Sequence, residues 1–348
     1  MERLPTELMV GVMGYSDRPT IHSFTIVSSK YREIAQPLLF RRIRIKPMRY
    51  KRLALFIEQM ENSNRLALMI KILIMQWPFT TELLQHLFAV VSNLEELLIY
   101  YKVANPTLLP SPHHFPNLRR LHFPASRLEV FNYVVANFIP CHRVLDDLKV
   151  SFIPDSLTSD PATRCMPPFA ESVSSGISRL VTYHGPSGLL SLLTPNSRME
   201  HLTSTHQLDE RTLRKLSSAV SGRLLSLIIS DPMDPTETQT LPGPLIPSLF
   251  PNLRTIAWLS LGTNSVSVID QLPHLRRIWF SSMHTLRLPE RVAFVSKILE
   301  LSDKKNRPLQ EIWVYAQAGR PYSHKYSKAS INSPWMLETD LPIAPFVG

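Results

Sequence analysis

The chain has 348 residues, more than one compact domain usually holds, so two units are the expectation. Apolar residues supply 44% of it and charged residues 19%, which supports a sizeable core and excludes wholesale disorder. Thirty prolines against ten glycines suit short elements joined by stiff turns and disfavour a glycine-dependent nucleotide fold, while the formal charge of +10 suits acidic protein surfaces as well as nucleic acid or lipid.

The N-terminus, MERLPTELMV, carries an acid and a proline where a signal peptide would have its apolar core. From Pro5 or Thr6 a helix is expected, with Glu7 in its first turn and Leu8, Met9, Val12 and Met13 at helical spacing. Ser16–Pro19 breaks the pattern. A second periodic stretch carries Ile21, Phe24, Val27, Tyr31 and Ile34; Pro37 is expected to end it, and LLFRRIRI reads as a strand. About 40 residues of short helix bury too little apolar surface to stand alone, so this head should lean on the remaining chain or on a partner.

The head resembles an F-box. Leu4-Pro5-x-Glu7-Leu8 matches the opening of that motif, Val12, Met13 and Tyr15 its next apolar positions, and Val27-Ser28-Ser29-Lys30-Tyr31-Arg32-Glu33-Ile34-Ala35 its closing helix. Tyr31 stands where the family usually has tryptophan, Ser28 where it often has cysteine, and Ser16 where leucine commonly follows. The resemblance implies docking to the small adaptor subunit of a cullin–RING ubiquitin ligase through Leu4, Pro5, Leu8, Val27 and Tyr31.

Next comes a basic run, Arg41, Arg42, Arg44, Lys46, Arg49, Lys51 and Arg52, with Phe40, Ile43 and Ile45 alternating through it as in a half-buried strand. The successive aromatic platforms of single-strand nucleic-acid binding are absent from this run, in which Tyr50 is the one aromatic residue among the cations. LALMIKILIMQWPF is the most apolar stretch; it contains Lys71 and is too short for a membrane span.

The body repeats Leu-x-x-Leu-x-apolar. Good copies begin at Leu94, Leu118, Leu145, Leu224, Leu253, Leu275 and Leu309, and weaker ones at Ile70, Ile177 and Met199. Of their start-to-start spacings of 24, 24, 27, 32, 22, 25, 29, 22 and 34 residues, most fall in or near the leucine-rich-repeat range. HHFPNLRRL, SLFPNLRTI and DQLPHLRRI share a Pro-(Asn/His)-Leu-Arg lead-in, and helical patterns such as LDERTLRKLSSAV and PERVAFVSKILEL lie between copies. Residues 151–176 interrupt the pattern and are expected as an exposed loop or a short ordered insertion, and 232–247 is a second loop candidate. The body resembles the leucine-rich-repeat substrate-receptor region of fungal F-box proteins.

The expected fold is therefore α/β: a helical F-box-like head over residues 1–40, an irregular leucine-rich-repeat solenoid over 41–318, and a tail or cap over 319–348. In the solenoid, a parallel sheet would form the concave side of a horseshoe and helices the convex side.

No GxSxG elbow, HExxH pair, P-loop or Rossmann fingerprint is present, and neither Asp146-Asp147, His113-His114 nor the pair Cys141 and Cys165 has catalytic or metal-site spacing. A non-enzyme without cofactor or metal is expected, in a reducing intracellular setting, cytoplasmic or nuclear. Protein substrate would be held on the sheet face. Arg120, Arg254 and Arg277 are taken as equivalent repeat positions forming a basic stripe for an acidic or phosphorylated peptide, with Trp279 and Trp313 as anchors. A repeat scaffold whose head only caps the array, and a basic nucleic-acid-binding solenoid, are the alternatives.

Overall fold

The structure is a computed structural model and describes residues 5–47, 50–111, 115–152, 177–204, 208–229, 243–259, 263–280, 288–304, 308–315, 322–328 and 335–342. The chain divides into two compact units, residues 1–163 and 164–348. The boundary falls inside the expected loop at 151–176, most of which lies outside the described residues.

The first unit opens with three helices. Helix α1 is Thr6–Gly14, with Met9 and Met13 buried. Helix α2 is Arg18–Val27; Asp17 caps it by accepting a hydrogen bond from the Thr20 N–H at 3.0 Å, and Pro19 fixes φ in the first turn. Helix α3 is Ser29–Phe40, capped by the Ser28 hydroxyl accepting from the Tyr31 N–H at 3.2 Å. Met13, Ile21 and Ala35 form the centre of this head, with Phe24, Tyr31, Ile34, Leu38 and Leu39 packed around them.

Pro37 does not end the helix as expected. It sits inside α3, and strand β1 is confined to Arg42–Ile45. Proline removes one helical donor. Leu38 and Leu39 continue helically because they pack on the head's core, gaining part of the roughly 1.5–3 kcal/mol that full burial of such a side chain gives.

Beyond β1 the first unit alternates helix and strand. Helices α4 (Tyr50–Glu61) and α5 (Asn64–Met69) precede β2 (Ile72–Met75), and α6 (Thr81–Val90) precedes β3 (Glu96–Ile99). Strand β4 is Arg120–Ala125. A helical run follows, from α7 (Leu128–Tyr133) through a π-helical stretch, Val134–Phe138, and it leads to β5 (Asp147–Phe152). Each strand pairs in parallel with the next, β1 through β5 in chain order. The register places Leu73, Leu97, Leu121 and Leu148 in one fully buried row.

One backbone device recurs at the start of these strands. The Arg41 carbonyl accepts from the N–H groups of both Lys71 and Ile72, and Lys71 does the same for Glu95 and Glu96. Glu95 then serves Arg119 and Arg120, and Arg119 serves Asp146 and Asp147. Asparagines in the lead-ins add a second tie: Asn117 Nδ2–H donates to Asn93 Oδ1 at 3.2 Å, and Asn93 Nδ2–H to the Leu68 carbonyl at 2.8 Å.

The second unit repeats the scheme. Strands β6 (Thr182–Gly185), β7 (His201–Ser204), β8 (Ser226–Ile229), β9 (Thr255–Leu259), β10 (Arg277–Phe280) and β11 (Glu311–Tyr315) pair in parallel in chain order. Their shared core row is Tyr183, Leu202, Leu227, Ile256, Ile278 and Ile312. Helix α8, Glu210–Val220, buries Leu213, Leu216, Ala219 and Val220, and Asp209 caps it through the Thr212 N–H at 2.8 Å. Ser221 at φ 48° and Gly222 at φ 75° then turn the chain out of the helix. Helices α9 (Thr263–Asp270) and α10 (Leu288–Lys304) precede β10 and β11. Of the second expected loop, residues 243–249 form short helical turns, and 232–242 lie outside the described residues.

The tail adds two antiparallel strands, β12 (Tyr322–Ser327) against β11 and β13 (Met336–Pro342) against β12. Lys328 is buried at the end of β12, its ammonium 3.1 Å from Asp303 Oδ1 on α10 and 4.9 Å from the centre of the Trp335 ring.

Candidate functional site

On α1 the buried methionines leave a second apolar row facing outward. Leu8 and Val12, four residues apart, are 56% and 59% exposed, and Tyr15 at the end of the same face is 97% exposed. On α2, Ile26 and Val27 are exposed as well. Of the residues expected to dock an adaptor, Pro5, Leu8 and Val27 are thus exposed, and Leu4 lies outside the described residues. Tyr31 differs. It is half-buried in the head's own core, its ring 5.9 Å from that of Phe24.

Helices α2 and α3 also enclose an open cleft of about 620 Å³, lined by Arg18, His22, Ile26, Arg32, Leu39 and Phe40 among others. Arg18 Nη2–H donates to the Leu39 carbonyl at 3.3 Å and Arg32 Nε–H to the Thr25 carbonyl at 2.9 Å, so both guanidiniums are anchored to backbone.

On the outer sheet face of the first unit, register brings charges from distant repeats together. Arg120 Nε lies 2.7 Å from Asp147 Oδ2, and Arg120 Nη1 lies 3.4 Å from Glu96 Oε2. His122 Nε2 is 3.2 Å from Asp147 Oδ1. Partial burial pushes the Asp147 carboxyl upward, but the hydrogen bond and charge of His122, with Arg120, outweigh it and hold the group below its usual range. Burial lowers the Lys149 ammonium in the next row, and the Asp147 charge opposes that shift.

In the second unit Trp279 and Trp313 stand in register on β10 and β11, both half-buried. Glu311 organises their surroundings. Its carboxylate is 3.6 Å from Arg277 Nε and 3.8 Å from Lys325 Nζ, and it accepts a long bond from the Trp313 indole N–H at 3.5 Å. Lys325 also lies 5.2 Å from the centre of the Trp313 ring.

The expected equivalence of the three arginines does not hold. Register pairs Arg277 with Thr255, while Arg254 precedes β9 and offers its carbonyl to the N–H groups of Arg276 and Arg277. Arg254 therefore corresponds to Arg276. It is exposed, whereas Arg120 and Arg277 are each engaged by carboxylates. Ala257 and Ser226, which flank the apolar strand positions, are buried.

Sequence reasoning missed Glu96, Asp147, Glu311 and Lys325 as partners of the chosen cations. For Glu96 a signal existed, because a repeat of 24 residues places it beside Arg120. No comparable signal marks Lys325, which arrives through the antiparallel tail. His142 is buried, with Nδ1 2.8 Å from the Phe138 carbonyl and its ring stacked on Phe138. His113, His114, His206 and Cys165 lie outside the described residues.

Among the described residues no group of three or more histidine, cysteine, aspartate or glutamate side chains is placed to hold a metal ion. No helix among them is long and apolar enough to cross a membrane. A scan against protein-family models and a search of curated protein sequences return no match.

Proposed function

We propose that the chain is a non-catalytic recognition subunit of an F-box-type ubiquitin ligase, with a leucine-rich-repeat body. The head would dock the small adaptor subunit. The outer strand faces would hold a protein substrate, so that its lysines come within reach of chemistry carried by other subunits.

The observation that carries this reading is the outward apolar row Leu8, Val12 and Tyr15, together with the exposed Ile26 and Val27 on α2. A small helical head that turns this much apolar surface to solvent gains by covering it, at about 25 cal/mol per Å². Strands in chain order and in parallel pairing support the repeat-array part of the reading, and the in-register tryptophans beside Arg277 and Lys325 support protein binding on the second unit.

The test is co-purification of the ligase adaptor with the full chain. Leu8→Asp with Val27→Asp should abolish it while the thermal midpoint stays unchanged, because both side chains are exposed. A second reading is favoured by the packing of α3 on β1 and α5, which is what a simple cap on the repeats would do. Absence of adaptor from the wild-type complex would leave that capped scaffold as the function.

A further inference from the structure

The sheet face of the first unit carries three cations that no carboxylate among the described residues reaches. Arg42, Arg44 and the following Lys46 alternate along β1 with the inward-facing Ile43 and Ile45, and all three cations are exposed. Their register neighbours on β2 are Ile72 and Ile74, and then Gln76, whose N–H donates to the Ile45 carbonyl at 3.0 Å. None of these carries charge. The next carboxylate in the row is Glu96, two strands away and already 3.4 Å from Arg120.

This arrangement contrasts with the arginines inside the sheet. Arg120 lies between Glu96 and Asp147, and in the second unit Arg277 faces Glu311. Among the described residues of the first unit's sheet face, then, β1 and the residue after it carry positive charge open to an outside anion.

We propose that this face of the first unit binds an extended acidic protein segment with carboxylates at every second residue. Side chains on one face of a strand repeat at about 6.6–6.8 Å, and an extended peptide repeats its own at the same interval. Alternate acids would therefore meet Arg42, Arg44 and Lys46 one to one. Beside them, Tyr100 continues the row of Lys46 and Gln76, its N–H donating to the Met75 carbonyl at 2.8 Å, and its ring is 61% exposed. It gives an apolar residue of the segment a surface to pack on. A single ring in this row favours a peptide over single-stranded nucleic acid, which needs successive stacking platforms.

The inference rests on the recognition reading only for the identity of the segment as substrate; the binding itself is independent of any adaptor. It is tested with the full-length protein by fluorescence anisotropy. The probes are a labelled ten-residue peptide alternating glutamate with valine, its glutamine counterpart, and a ten-nucleotide oligothymidine. The glutamate peptide should bind at least tenfold more tightly than the glutamine peptide. That preference should vanish in the triple variant Arg42→Glu, Arg44→Glu, Lys46→Glu, and also in the neutral triple Arg42→Gln, Arg44→Gln, Lys46→Gln if the first fails to fold. Arg120→Gln should change affinity less than twofold. Equal binding of the two peptides, or an unchanged preference in a folded triple variant, overturns the proposal. Oligothymidine binding that is lost in the triple variant, without peptide binding, overturns it in favour of nucleic acid. Leu8→Asp with Val27→Asp leaves this assay untouched, so failure of adaptor docking and failure of peptide binding are read separately.

Discussion

The guanidinium of Arg120 approaches the carboxylate of Asp147 to 2.7 Å across neighbouring parallel strands, and His122 meets the other oxygen of that carboxylate at 3.2 Å. Asp147 thereby holds together two strands whose sequences lie more than twenty residues apart. Its carboxyl is shifted below the usual 3.8, so the folded state binds that proton less readily than the unfolded chain. The stabilisation is present above that pH and is lost as pH falls through the lower folded value. Asp147→Asn should flatten the acid limb of the stability curve below about pH 3.8, measured by urea unfolding at stepped pH. An acid limb identical to wild type would show that the contact carries no stability.

A methyl group added at Gly185 would lie 2.5 Å from the Tyr183 hydroxyl oxygen, and that ring is fully buried with its O–H donating to the Pro186 carbonyl at 2.8 Å. Nothing flexible can yield there, so Gly185→Ala should destabilise by about 1–3 kcal/mol, as overpacking does. Burial also pushes the Tyr183 phenol well above 10. The unfolded chain therefore releases this proton first, and stability declines as pH rises past 10. Tyr183→Phe should weaken that alkaline decline, measured by thermal midpoints in steps across it.

Asn93 accepts from Asn117 and donates to Leu68. Asn93→Ala breaks both links, and a loss of about 1–2 kcal/mol is expected. Asn117→Ala should cost less. The double variant should lose less than the two single losses combined, because the shared bond is removed only once. Strict additivity in denaturant midpoints would mean that the two side chains act independently.

Lys328 is buried just after β12, while its partner Asp303 is exposed on α10. Asp303→Asn removes the carboxylate 3.1 Å from the ammonium and leaves the contact with the Trp335 ring in place. The exposure of Asp303 moderates the loss to roughly 1 kcal/mol. Lys328→Ala, which also vacates packed volume, should cost more. Amide hydrogen exchange should localise both effects to β12 and β13.

On the proposed reading, Trp279 and Trp313 anchor a protein partner on the second unit. Each single alanine variant should weaken partner capture by tenfold or more, in line with central aromatic anchors. Glu311→Gln should blue-shift or red-shift the Trp313 emission with less than about 1 kcal/mol change in stability, since its ion pairs are partly solvated. Unchanged capture by both alanine variants would move recognition elsewhere.

The strand positions were legible because Leu-x-x-Leu-x-apolar places two residues on one face at a period of two, and the residues so marked are the buried rows, from Leu97 and Leu121 to Ile278 and Ile312. The head's helices were legible from their apolar spacing. Pro37 misled, because tertiary packing of Leu38 and Leu39 overrides a local helix breaker. Motif position also does not say whether a ring faces a partner or its own core, and Tyr31 packs partly against its own. The charge pattern was least legible. Whether an arginine is available depends on its neighbour one repeat away, and miscounting by one residue set Arg254 beside Arg277 when Thr255 belongs there.

The doubly used carbonyls, Arg41, Lys71, Glu95 and Arg119 in one unit and Val181, Glu200, Leu225, Arg254 and Arg276 in the other, fasten the starts of β2 to β5 and of β7 to β11 through main-chain atoms. Alignment is thereby reset at every step, whatever length of chain has intervened. Growth or shrinkage of one connection has no way to propagate an offset to the strands beyond it. Such connections are natural places for new sequence to be gained over evolutionary time, or for a tag to be inserted by hand, with the tolerance of each graft set only by its own local contacts.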